Sequence, residues 1–119
     1  MANVQKTFAL ILGIVLLLVG LLGYFPNPLV SETGFFGSNG FQDLLHIVAG
    51  ICGIYAGTKG VGKGYNMTIG WIGVVLGILG FIPGLNTLLA TWFNINNNIS
   101  VLHIVLGVIA LGVYYGAKK

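Results

Sequence analysis

Two histidines, His46 and His103, have the residue type and spacing that could do chemistry, because each is the second residue of the same six-residue pattern. The two copies are Leu45-His46-Ile47-Val48-Ala49-Gly50 and Leu102-His103-Ile104-Val105-Leu106-Gly107. Imidazole is a common axial ligand of haem iron, and a glycine one helical turn on, Gly50 or Gly107, would give a flat macrocycle clearance. Bis-histidine binding of haem b is one expectation. A plainer one starts from Asp43 and Ser100, which stand three residues before the histidines and are good helix N-caps. A side chain at the third helical position can reach back to such a cap, so His46 and His103 would finish helix ends. A metal ion is not expected, since zinc and copper take three or four ligands and only Asp43 is at hand. No Ser/His/Asp set, C-x-x-C pair or paired carboxylates suggest a catalytic residue. The run Gly57-Thr58-Lys59-Gly60-Val61-Gly62-Lys63-Gly64 has phosphate-loop spacing, but Gly64 replaces the hydroxyl residue that would hold magnesium and no strand precedes it.

The elements that must position the histidines are apolar. Of 119 residues, 56% are hydrophobic and 6% charged, with 20 glycines and a net charge of +3. A soluble domain carries about a quarter charged residues, so this surface must face lipid or other subunits. That excludes nucleic-acid binders and most soluble enzymes. Apolar stretches at about Val4–Tyr24, Phe41–Thr58, Asn66–Ile82 and Ile99–Tyr115 each span roughly 25–31 Å as helices, enough to cross a bilayer. The first is expected to be a retained span, because no A-x-A-like cleavage site follows it. Lys6, Lys59, Lys63, Lys118 and Lys119 all fall on one side of these spans, which should be cytoplasmic, with both termini inside the cell and the chain in the cytoplasmic membrane. Tyr24, Phe35, Phe36, Phe41, Phe81, Trp92 and Phe93 should form an aromatic belt on the other side. The one cysteine, Cys52, is expected to be a small buried hydrophobe.

The chain is an internal duplication. Sliding it by 57 residues pairs positions 4–57 with 61–114, and 14 of those 54 pairs are identical, including Lys6/Lys63, Gly13/Gly70, Gly20/Gly77, Pro26/Pro83, Asn39/Asn96 and His46/His103. Each repeat holds two spans, so both enter the membrane in the same sense. The expected fold is an all-α membrane protein of one four-helix domain: two tandem, same-orientation helical hairpins related by a pseudo-two-fold along the membrane normal. Glycines should pack the helices. Gly70, Gly73, Gly77 and Gly80 share roughly an 80° arc, and Gly50, Gly53 and Gly57 continue the face of His46. In the second outer loop Leu85, Leu88, Leu89, Trp92 and Phe93 have the spacing of a short interfacial helix, with a weaker counterpart at 28–36.

The repeated Leu-His-x-x-x-Gly element, at Leu45–Gly50 and Leu102–Gly107, resembles that of a prokaryotic family called domain of unknown function 4383, small proteins of four spans. The likeness covers essentially the whole chain and implies fold and location without a reaction. Family members carry an acid upstream of the second histidine, where this chain has Ser100. The function expected is therefore non-enzymatic: a structural or interaction subunit in lipid, as a homo-oligomer or with a membrane partner. The alternatives are a haem-binding redox protein using His46 and His103, and a small channel or lipid- or quinone-binding protein.

Overall fold

The structure, a computed structural model, describes residues 3–117 and is helical apart from one minimal ladder. Lys118 and Lys119 lie outside the described residues. Helix α1 (Val4–Leu22) leads through two parallel two-residue strands, β1 (Val30–Ser31) and β2 (Phe36–Gly37), to α2 (Gly40–Lys59). Then follow α3 (Gly62–Leu79), the short α4 (Leu85–Phe93) and α5 (Asn97–Gly116). No helix forms at 28–36. There Asn27 organises the chain instead, its amide donating to the carbonyls of Leu22, Phe25 and Val30 while its oxygen accepts from the Leu29 and Val30 amides.

Glycine contacts draw α1 against α2 and α3 against α5, each pair antiparallel. A Cβ on Gly13 would stand 2.6–2.7 Å from backbone atoms of Ile54, Gly50 and Gly53, and one on Gly70 would stand 2.8 Å from Leu111, the residue 57 positions after Ile54. Gly20 abuts the Asp43 carbonyl and Ile47, while Gly77 abuts their counterparts Ser100 and Ile104. The backbones touch where side chains are missing, and dispersion holds them.

Large apolar side chains point outward. Leu18 is 59% exposed, Ile51 55%, Val75 48% and Val108 56%, one from each long helix, whereas fully buried positions include Asn66, Asp43, Ser38 and Ser100. Cys52 is exposed, contrary to the expectation of burial, because glycines rather than the larger residues occupy the inner face of α2. Helices α1 and α5 are long and apolar enough to cross a membrane.

The α1–α2 pair joins the α3–α5 pair at both ends. At the lysine end the buried Gln5 amide donates to the carbonyls of Val113, Tyr114 and Ala117, and Asn66 donates to the Gln5 side chain at 2.9 Å. At the opposite end asparagines cross over: Asn39 to the Trp92 carbonyl, Asn94 to Glu32 and Ser38, and Asn96 and Asn98 to Phe35. Phe36 and Phe93, both expected in the aromatic belt, are half-buried and pack on the small core of Leu89, Ile95 and Ile99.

Candidate functional site

Between these two fastened ends lies a cavity of about 300 Å³. Much of its wall consists of residues 57 positions apart: Leu12 with Ile69, Leu16 with Gly73, Ala49 with Leu106, and His46 with His103. Phe93, Ile95 and Leu76 close one side, and Gln42 adds an amide. A wall built from matched residues puts the cavity where the two repeats face each other.

The two imidazoles meet across it. Their ring centroids are 6.0 Å apart with an interplanar angle of 66°, and Nδ1 of each is buried without a hydrogen-bond partner. An unpaired buried polar atom costs about 1–3 kcal/mol, a cost each ring carries as it stands.

Two expectations about the surrounding residues require correction. Asp43 and Ser100 are not the helix caps. Asn39 caps α2, accepting from the Gln42 amide at 2.9 Å, and Asn96 caps α5, accepting from the Ile99 amide at 2.9 Å. Each helix begins before the apolar run, so Asp43 and Ser100 lie one turn inside and press on Gly23 and Gly80. His46 and His103 are a further turn along, beyond reach of a cap. The second correction concerns clearance for a macrocycle. The room beside Gly50 is taken by Leu17 and Gly13, so that glycine admits a neighbouring helix, whereas Gly107, abutted by Val74 and Gly70, also lines the cavity.

The other packing positions are similarly occupied. Gly53 lies against Gly13 and the Tyr65 ring, and Gly57 against Leu10. Gly73 faces the His103 carbonyl, and Gly77 and Gly80 face Ser100. Tyr65 also donates to the Ala49 carbonyl at 2.8 Å, tying α3 to α2 beside the cavity. The sequence reading missed Gln42, Gln5 and Asn66. Polar residues at the edges of apolar runs were the available signal.

The chain belongs to the family described as Domain of unknown function (DUF4383), whose pattern matches residues 6–116. No curated protein and no solved structure matches it.

Proposed function

We propose that this is a non-enzymatic membrane protein of four spans, built as two tandem hairpins in the same orientation, that binds a small apolar molecule in the cavity between them. The pseudo-two-fold would run along the membrane normal through the histidine pair, with the lysine end cytoplasmic. Outward Leu, Ile and Val on all four long helices support lipid contact for α2 and α3 as well as for α1 and α5.

The observation that carries the binding reading is the pair of imidazoles, each with an unpartnered Nδ1, in a largely apolar cavity. Small-molecule sites are apolar hollows with few convergent polar groups, typically about 300–1,000 Å³. This one is at the lower end of that range. It suits a single ring bearing carbonyl or hydroxyl oxygens, with an apolar tail, better than a four-pyrrole macrocycle. A neutral imidazole offers one donor and one acceptor, enough to hold either oxygen type. Quinone-like head groups have this chemistry.

The test is titration of the detergent-purified protein with a short-tailed benzoquinone, followed by tryptophan quenching, beside its absorption spectrum. Saturable quenching that weakens about tenfold or more in His46→Leu/His103→Leu supports the reading. Equal quenching in both proteins overturns it. A Soret band lost in the double variant would select the haem alternative instead.

A further inference from the structure

Leu45 and Leu102 open the two copies of the histidine pattern, yet the fold treats them differently. Leu102 packs on the core of Leu89, Ile95 and Ile99, to which α4 contributes Leu89. The first repeat forms no helix between its spans, and Leu45 is left 45% exposed. Leu45 also lines the histidine cavity, whereas Leu102 does not. Helix α3 shows the same contrast with α1. Ile72 lines the cavity and is 48% exposed, while its counterpart Val15 is equally outward but has no part in the wall.

The duplication therefore acts as an internal control for where the wall is open. Helix α1 gives the cavity the buried Leu12 and half-buried Leu16, and α5 gives it half-buried His103 and Leu106 and the buried Gly107. Of the four long helices, only α2 and α3 contribute residues that line the cavity and also reach the outer surface. The opening is thus at the seam between α2 and α3, and the equivalent seam between α5 and α1 lacks one. Size agrees with this, because Ala49 of α2 stands where the second repeat has Leu106.

The opening has two definite ends. Toward the lysines, Tyr65 of α3 donates to the Ala49 carbonyl of α2 at 2.8 Å and bridges the seam. Toward the other end the rings of Phe41 and Phe93 lie against each other, with centroids 5.2 Å apart. Between Phe41 and Ala49 the window runs eight residues along α2, roughly 12 Å. Beside it Leu44, Val48, Trp71 and Val75 are exposed, an apolar surround suited to acyl chains. The ends of the molecule are fastened by the Gln5–Asn66 clasp and by the outer asparagines, so the side is the open way in.

Volume decides what remains outside. An apolar cavity of about 150 Å³ holds one benzene, so this one of about 300 Å³ holds a substituted ring and little more. A hydrocarbon tail on that ring has to leave through the wall.

We propose that the window between α2 and α3 is a lateral portal, through which a single-tailed, lipid-dissolved molecule inserts its ring from the bilayer and leaves its tail among the acyl chains. This rests on the cavity reading and adds the route and the ligand class. The probes are a benzoquinone without a tail and the same ring with a decyl tail, titrated by tryptophan quenching into the full chain in detergent. In a Cys52→Ala background, Leu45→Cys, Ile72→Cys and the control Val15→Cys are each measured before and after labelling with N-ethylmaleimide, with labelling confirmed by intact mass. The adduct at 45 or 72 should weaken binding of the decyl compound by about tenfold or more, because it occupies the path of the tail. The tail-less ring should bind as before, and the adduct at 15 should change neither. Undiminished binding of the decyl compound with the adducts at 45 and 72 would overturn the portal while leaving the cavity reading intact, and an equal loss from the adduct at 15 would overturn it too. Absence of saturable quenching by both probes in the parent would remove the cavity reading, and the portal with it.

Discussion

Asn39 and Asn96 hold the helix starts that Asp43 and Ser100 were expected to hold, and the two kinds of residue should respond oppositely to alanine. Asn39→Ala and Asn96→Ala each remove a cap and a bond to the other half, so each should cost about 1 kcal/mol or more in denaturant unfolding. Ser100→Ala removes a buried hydroxyl that has no partner, and should leave stability unchanged or slightly higher. The histidines belong with Ser100 in this respect. His46→Leu and His103→Leu replace a ring with an orphaned nitrogen by a side chain that suits an apolar wall. The ligand-free variants should therefore melt no lower than the parent, while binding is lost. A fall of several degrees in both would show that the rings serve the fold. Stability given up at a ligand site is the usual sign of function.

Helix pairing makes a sharper distinction among glycines than their sequence spacing does. Gly50→Ala and Gly107→Ala would each drive a methyl group into the backbone of the facing helix, an overpacking cost of about 1–3 kcal/mol, because backbone cannot move aside as a side chain can. Gly112 has open space around a Cβ, so Gly112→Ala should be neutral or stabilising by up to about 1 kcal/mol. Unfolding midpoints of the three variants check this. The arcs of Gly70–Gly80 and Gly50–Gly57 were legible because small residues at helical spacing leave a groove whatever fills it. The α3 start was not. Gly62 and Gly64 look like loop, yet α3 begins at Gly62 because the Gln5 backbone lies where a side chain would be. The Gln5–Asn66 clasp was illegible for a related reason. Its counterparts by repeat are Gly62 and Ala9, so the duplication does not mark which residues pair, and it joins residues 61 apart. Contacts within a repeat leave a periodic trace, whereas contacts between repeats depend on how the halves are set together.

The number of crossings separates two whole-molecule readings that share the same helices. If only α1 and α5 cross, everything from Gly23 to Asn96 lies on one side, and Glu32 and Lys63 share a compartment. If all four long helices cross, Glu32 and Thr87 share one side while Lys63 lies on the other. The outward apolar residues of α2 and α3 favour the second, because a two-span chain would leave Phe41, Leu44, Val48, Ile51, Trp71, Val75 and Ile78 facing water. Burying one such side chain is worth roughly 1.5–3 kcal/mol, so seven on two helices outweigh the desolvation of the few polar residues that accompany them. In a Cys52→Ala background, single cysteines at positions 32, 63 and 87 should therefore separate under an impermeant maleimide applied to intact cells. Positions 32 and 87 should label from outside, and position 63 only after the membrane is opened. Equal labelling at 32 and 63 would reduce the protein to two crossings and take the cavity out of the bilayer. The reverse pattern would keep four crossings and invert them, placing the lysines outside against the charge asymmetry that orients short loops.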